Sequence, residues 1–139
     1  MRFIYPAEIE QDEAGYFVVT FPDVPEAVTD ARERTEALAE AADALAVALA
    51  GYVHAGRSLP RPSAAHGRQK VAVPGLVAAK LALWEALRAE GISQTELARR
   101  LGKTENTVRR LLDPDHSSRW ENIEAALAAL GRQIVVEAA

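Results

Sequence analysis

Residues 91–112, which read GISQTELARRLGKTENTVRRLL, constrain the fold more than any other part of this chain. Ser93 is a favoured helix N-cap, and Glu96 three residues later completes the sequence pattern of a capping box. Gly102 ends this helix, because glycine adopts the left-handed backbone of a helix C-terminus without steric cost. Thr104 then caps a second helix. Two short helices joined by such a turn form the helix-turn-helix motif, which predicts DNA binding.

The two predicted helices have faces of opposite character. Apolar residues at helical spacing predict the face that packs inward, and they are Leu97, Ala98, Leu101, Val108, Leu111 and Leu112. The other face of the second helix is polar and carries Glu105, Asn106, Arg109 and Arg110.

The composition of the chain excludes several classes of protein. A length of 139 residues suits one ordinary domain or two small ones, and the absence of cysteine excludes disulfides and thiolate metal sites. The apolar run at residues 37–52 is interrupted by Glu40 and Asp43, and the N-terminus lacks the apolar stretch of a signal peptide. We therefore expect a cytoplasmic protein that does not bind membranes.

The charges are distributed unevenly between the two ends of the chain. The net charge is −4, yet residues 1–50 contain eleven acidic and three basic residues. Residues 93–119 contain six basic and four acidic residues. Phosphate repels the first segment and attracts the second. This asymmetry predicts two modules that bind two partners of opposite charge.

The pattern of the N-terminal module predicts a β-β-β-α-β order. Alternating or β-branched residues place strands at 2–10, 16–21, 27–29 and 70–73, and helical spacing places a helix at 34–54. Pro6 must occupy an edge or a non-bonded position, because proline donates no ladder hydrogen bond. Residues 57–70 are predicted to be linker-like. The helix face expected on the sheet carries Leu38, Ala42, Leu45, Leu49 and Tyr52.

The C-terminal module is predicted to be helical, with a final strand. Pro74 starts a helix in which apolar and charged residues, Lys80 among them, alternate at helical spacing, and Trp84 is expected to be a core anchor. After the helix-turn-helix, a last helix runs to about Leu130. Residues 132–137 are predicted to form a terminal strand that pairs with a second copy of the chain, because the helical module offers it no partner.

An enzymatic alternative rests on the acidic residues near the N-terminus. A metal-dependent nuclease needs converging carboxylates, and Glu8, Glu10, Asp12, Glu13 and Asp23 are close in sequence. Strand alternation puts the two glutamates at 8 and 10 on the solvent face, which favours a solvated acidic surface. The histidines, at positions 54, 66 and 116, show no metal-ligand spacing. We therefore predict no catalytic, cofactor or metal site.

The N-terminal residues resemble those of HicB-type antitoxins over residues 1–73. The resemblance rests on YPAEIE in the first strand, FPDVP after the second strand, EALAEAADAL in the helix and RSLPRPS after it. It implies a partial ribonuclease-H-like sheet without nuclease activity, which holds a HicA-type ribonuclease toxin. The family's Gly-x-Thr turn before the helix is replaced by Ala31, Arg32 and Glu33, so we expect Asp30 to cap the helix.

Residues 74–139 resemble the HicB subfamily that ends in a repressor-like (XRE-type) helix-turn-helix. The matching runs are AAKLALWEALRAEGISQTELARRLG, NTVRRLLD and HSSRWENIEAALAALGRQIVVE. The resemblance implies an α+β chain with an all-α DNA-binding and dimerisation domain. It also implies an antitoxin that represses its own operon as a dimer or a dimer of dimers. The alternative is an orphan repressor whose N-terminal domain senses another ligand or protein.

The resemblance also implies a set of DNA-contacting residues. Gln94 matches a phosphate-binding position, and the positions that match base readers are Thr104, Glu105, Asn106 and Arg110. Phosphate contacts are expected from Lys103, Thr107, Arg109 and Arg119, where a charge or a hydroxyl group suffices.

Overall fold

The computed structural model describes all 139 residues and divides into two compact units, Met1–Ala78 and Ala79–Ala139. The division falls within a helix, Gly75–Glu90, whose first turn belongs to the first unit. The chain is α+β, with one four-stranded antiparallel sheet and five helices. We call the first unit the sheet unit and the second the helical unit.

The sheet unit has the predicted β-β-β-α-β order. Its elements are β1 (Ile4–Gln11), β2 (Phe17–Thr20), β3 (Val28–Ala31), α1 (Arg34–His54) and β4 (Gln69–Ala72). All neighbouring strands are antiparallel, in the order β3-β2-β1-β4.

The central strand β1 shares its length between two neighbours, which explains how it tolerates Pro6. Residues 4–7 pair with β4, and residues 8–11 pair with β2. The N–H of Val73 donates to the oxygen of Phe3, so the hydrogen-bonded pairs with β4 fall at odd-numbered residues of β1. Pro6 lies opposite Lys70 in a non-bonded pair, beside the stretch that β2 does not reach. The prediction of a non-bonded position is confirmed, although the proline is buried and not on the solvent face.

Helix α1 packs on the sheet through a face that differs from the predicted one. Leu45, Leu49 and Tyr52 are buried as expected, but Leu38 and Ala42 are only half-buried. Ala37 and Ala41 are fully buried in their place. The helix is apolar on most sides, so several phases fit its sequence, and contacts with β2 and β3 select one of them. By length and composition α1 would suffice to cross a membrane, but this packing is that of a core helix.

The predicted cap of α1 is wrong. Asp30 belongs to β3, where it lies opposite Val18. The N-cap residue is Glu33, whose side chain makes no capping hydrogen bond. The pairing of β3 with β2 extends to Ala31, and the helix therefore starts later than an Asp30 cap would require.

The loop between α1 and β4 is not a free linker. Leu59 is buried, and the hydroxyl group of buried Tyr5 donates to the oxygen of Pro60 at 2.7 Å. Asp23 accepts hydrogen bonds from the backbone N–H and the hydroxyl group of Ser63, at 2.8 and 2.9 Å. These contacts make the loop part of the sheet unit, and the linker interpretation is corrected accordingly.

The helical unit consists of α2 (Gly75–Glu90), α3 (Gln94–Leu101), α4 (Glu105–Leu112) and α5 (Trp120–Ala129). Its core contains Leu81, Leu83, Leu97, Val108 and Ile123, all with 0 % exposure. Trp84, predicted to be a core anchor, is half-buried, and the guanidinium of Arg88 lies 5.3 Å from its ring centroid.

The terminal strand predicted at residues 132–137 does not form in the single chain. Residues 132–139 have no strand or helix, and Val135 and Val136 are 84 % and 77 % exposed. A strand needs a neighbouring strand to satisfy its backbone groups, and the helical unit contains none. Arg132 holds the beginning of this segment through a 3.0 Å ion pair with Glu90 and a hydrogen bond from its N–H to the oxygen of Leu127.

Candidate functional site

The pair α3 and α4 begins at the predicted N-caps, Ser93 and Thr104, but the capping box of Ser93 is only half formed, because the Glu96 carboxylate binds Arg99 and Arg100 instead. The hydroxyl group of Ser93 accepts from the N–H of Glu96 at 3.0 Å, and that of Thr104 accepts from the N–H of Thr107 at 3.2 Å. Between the helices, Gly102 has a φ of 63°, and the N–H of Lys103 donates to the oxygen of Ala98. The turn between these two eight-residue helices thus consists of three residues, 102–104.

The outward face of α4 holds most of the residues predicted to contact DNA. Lys103, Thr104, Glu105, Asn106, Arg109 and Arg110 are exposed on α4 or in the turn before it, and Thr107 is half-buried. Gln94, at the start of α3, is half-buried, and Arg119, at the N-cap of α5, is exposed. The inward face of α4 is formed by Val108, Leu111 and Leu112, as predicted.

Five of these side chains already have partners within the pair, since Thr104 and Thr107 also bond to each other. The Oε1 atom of Glu105 accepts from the hydroxyl group of Thr95 at 2.8 Å, which links the two helices. The Oδ1 atom of Asn106 accepts from the guanidinium of Arg109 at 3.2 Å. Thr95 is not among the residues predicted from the sequence; its only signal there is its position in the first turn of α3, one residue before Glu96.

Arg99 and Arg100 form ion pairs with another residue of their own helix, α3. Both donate to the carboxylate of Glu96, at 2.6–2.8 Å from Arg99 and 3.1 Å from Arg100. These hydrogen bonds, first from Arg99 and then from Arg100, lower the pKa of Glu96 to about 2. The geometry is that of a solvated ion-pair cluster on the helix surface.

A buried lysine of α2 binds the C-terminal turn of α4 on its inward side. In the sequence this lysine belongs to a helical pattern of alternating apolar and charged residues. Lys80 of α2 is 0 % exposed. Its ammonium donates to the backbone oxygen of Arg110 and to the hydroxyl group of Ser118, each at 2.8 Å. Burial lowers its pKa, and the negative charge of Asp113 opposes that shift. Lys80 therefore holds the C-terminal turn of α4 against α2 and the segment before α5.

Three of the acidic residues considered for a nuclease site, Glu8, Asp12 and Asp23, each contact a different part of the sheet unit. Glu8 lies 3.6 Å from the guanidinium of Arg68. Asp12 accepts from the backbone N–H of Ala14 and Tyr16 within its own turn. Asp23 is bound to the loop after α1, as described above. Glu8, Glu10, Asp12 and Glu13 are exposed, as the prediction of a solvated acidic surface requires.

The chain thus consists of two compact units: a sheet unit rich in acidic residues and a helical unit that exposes Arg109 and Arg110 on α4. Residues 4–82 match the family described as a HicB-like antitoxin of a bacterial toxin–antitoxin system. This match covers more than half of the chain, and the chain belongs to this family.

Full-length relatives agree with that assignment. Antitoxin HicB 2 of Photorhabdus laumondii is 41 % identical over 130 residues, which cover 94 % of this chain and 92 % of the relative. Antitoxin HicB of Pseudomonas fluorescens is 40 % identical over 145 residues, covering 100 % and 97 %. Antitoxin HicB of Escherichia coli is 34 % identical over 131 residues, covering 94 % and 95 %.

Proposed function

We propose that this chain is a cytoplasmic, non-enzymatic antitoxin that neutralises a HicA-type mRNA-cleaving toxin through its sheet unit. The supporting observation is the similarity to proteins named antitoxin HicB along nearly their whole length. The acidic charge of residues 1–50 fits a partner that must carry positive charge to bind RNA. Neutralisation follows if the sheet unit covers the toxin surface that RNA would occupy.

The toxin half of this proposal is tested by co-expression. A HicA-type toxin encoded beside this chain should arrest growth alone, and this chain should restore growth. A fragment limited to the sheet unit should restore growth as well, whereas residues 79–139 should not. Growth arrest that persists with the full chain would refute the antitoxin proposal and favour an orphan repressor.

The second half of the proposal is that the α3–α4 pair is a helix-turn-helix that represses the chain's own operon. In this proposal α4 enters the major groove of operator DNA. Arg110 donates twice to a guanine, and Asn106 recognises an adenine after its contact with Arg109 is released. Gln94, Lys103, Thr107, Arg109 and Arg119 contact phosphates. Thr104 and Glu105 have two roles in this proposal. They face the bases, and they also fix α4, because Thr104 caps it and Glu105 accepts a hydrogen bond from Thr95.

We further propose that the chain binds DNA as a homodimer. One eight-residue reading helix makes few contacts, and repressors of this type read two half-sites about 34 Å apart. The exposed segment 132–139 carries apolar Val135 and Val136, and pairing with the same segment of a second copy would satisfy its backbone. Deletion of residues 132–139 should therefore yield a monomer in light scattering and weaken operator binding. A dimer that survives the deletion would exclude this role.

Absence of enzymatic activity is also open to a direct test. Labelled RNA incubated with Mg²⁺ and the purified chain should remain intact. Cleavage that disappears when Glu8 and Glu10 are both replaced by glutamine would instead support the nuclease alternative.

A further inference from the structure

The outward face of α1 is explained by neither the core nor the DNA-facing helix. Surface helices usually carry polar residues on the side opposite the core. Here charged residues occupy much of the first half of that side, but in the second half Val47 is 70 % exposed. The other exposed or half-buried apolar residues of the helix are Leu38, Ala39, Ala42, Ala44, Ala46 and Ala48.

The part of this apolar surface that runs from Ala44 to Ala48 lines a groove between α1 and the start of β3. The groove has a volume of about 500 Å³. Its walls include Ala44, Val47, Ala48 and Gly51 from α1, and Val28 from β3, which is 56 % exposed. The small residues keep the helix backbone close to the groove, so a partner side chain has room to enter.

One end of the groove is polar. The hydroxyl group of Tyr52 donates to both carboxylate oxygens of Glu26, at 2.7 and 2.8 Å, and the guanidinium of Arg57 lies 4.5 Å from the Tyr52 ring centroid. The hydrogen bond to Glu26, with burial second, raises the pKa of Tyr52. A carboxylate has four lone-pair sites, so Glu26 retains acceptor capacity for an incoming cation.

The exposed charged residues on the two elements that form the groove, which we call its rim, are mostly acidic, although Arg34 on α1 and Arg57 in the groove wall are basic. On β3 and α1 the exposed carboxylates are Asp30, Glu36, Glu40 and Asp43. A symmetric contact with a second copy would place this acidic surface against itself, which like-charge repulsion opposes. A partner with an apolar anchor and flanking lysine or arginine side chains complements both the walls and the rim.

The outer edge of the sheet, formed by β3, lies beside the groove. β3 is the outermost strand and pairs only with β2, so its other edge offers unpaired backbone groups beside Val28. Such an edge accepts an extended segment of another protein through main-chain hydrogen bonds.

We infer that the groove between α1 and β3 is the docking site of the basic toxin, with an apolar toxin side chain held between Val47 and Val28 and a cationic one at Glu26. This inference rests on the proposed antitoxin function and specifies where the toxin sits.

The test uses the full chain and a purified, catalytically inactive HicA-type toxin. Val47→Arg places a bulky cation in the groove at a position exposed enough to leave the core intact. Affinity for the toxin should fall roughly 30-fold or more, the effect of losing an interface hot spot. Ala39→Arg is the matched control: it puts the same charge at an exposed position of the same helix outside the groove, and affinity should stay within about threefold of wild type.

Val28→Arg, on the opposite wall, provides a second variant if Val47→Arg lowers the melting temperature, and it should also weaken binding. Unchanged affinity in both groove variants would overturn the inference while leaving the antitoxin proposal intact. An equal loss with Ala39→Arg would also overturn it, because charge alone would then explain the effect. Conversion of a wild-type dimer to a monomer by Val47→Arg would show that a second copy occupies the groove. If the wild-type chain does not bind the toxin, the proposed function itself fails.

Discussion

Helices α1 and α4 differ in what fixes their position and in the chemistry of their outward faces. α1 has 21 residues, has no side-chain cap at its start and is apolar on most sides. α4 has eight residues, is capped by Thr104 and carries its charges on the outward face. The long helix depends on packing for its position, whereas local hydrogen bonds define where the short one begins. An outward apolar face suits a protein partner, and an outward basic face suits phosphate.

The largest expected effects come from matched deletions in the cores of the two units. Leu45 of α1 and Leu97 of α3 are both 0 % exposed. Replacement of either by alanine should cost about 2–5 kcal/mol of its own unit's stability, because buried contacts are lost and a cavity remains.

Chemical denaturation followed by toxin capture and operator binding would show whether these effects separate. Leu97→Ala should impair DNA binding first, and Leu45→Ala should impair toxin capture first. A single transition in which both variants lose both activities together would mean that the two units unfold cooperatively.

The next largest effect concerns the buried ammonium behind α4. Lys80→Met should destabilise the helical unit by about 1–3 kcal/mol, because the buried oxygen of Arg110 loses its donor. Lys103→Met replaces an exposed lysine and should have little effect.

The pH dependence of this effect has a defined sign. Because the pKa of Lys80 is lowered in the folded state, the unfolded chain binds more protons just below 10.5, the ordinary pKa of lysine. Wild-type stability should therefore rise relative to Lys80→Met as the pH increases toward 10.5. A constant difference between the two proteins across that range would show that the folded ammonium is not desolvated.

A sequence-dependent effect is expected on the outward face of α4, which we propose reads operator DNA. Arg110→Ala should cost about 1–3 kcal/mol of operator affinity and relax the preference at one base pair. Arg109→Ala should instead weaken operator and random duplexes alike, and reduce the salt dependence by about one counterion. Fluorescence anisotropy on both duplexes distinguishes the two. Equal losses for Arg110→Ala on operator and random DNA would reassign Arg110 to a backbone contact.

The smallest effect is expected at the ion-pair cluster of α3. Glu96 has a pKa of about 2 in the folded chain, below its usual 4.5, so its stabilising contribution is complete above 4.5 and disappears as the pH falls through about 2. Glu96→Gln should lower the melting temperature slightly at pH 6 and match wild type near pH 2. Glu124→Gln, an exposed change on α5, serves as the control. A wild-type advantage that persists at pH 2 would contradict the ion-pair explanation.

Local chemistry explains why parts of the candidate site were predictable from the sequence. Ser93, Gly102 and Thr104 act through hydrogen bonds and backbone angles within a few residues, so their roles were evident from the order of the residues alone. The bond between Thr95 and Glu105 was not predictable, because it depends on how closely α3 and α4 approach each other.

The sequence by itself determined the order of strands and helices through α5 and the caps of α3 and α4, and it limited Pro6 to an edge or a non-bonded position, because short-range sterics and hydrogen bonding decide these features. Only the tertiary structure decided which face of α1 meets the sheet, since a helix that is apolar on most sides fits more than one phase. It also placed Lys80 in the core, where an ammonium is tolerated because the backbone oxygen of Arg110 and the hydroxyl group of Ser118 accept its hydrogen bonds. The terminal segment failed to become a strand for the same kind of reason: its residues suit a strand, but the helical unit contains no strand to pair with it.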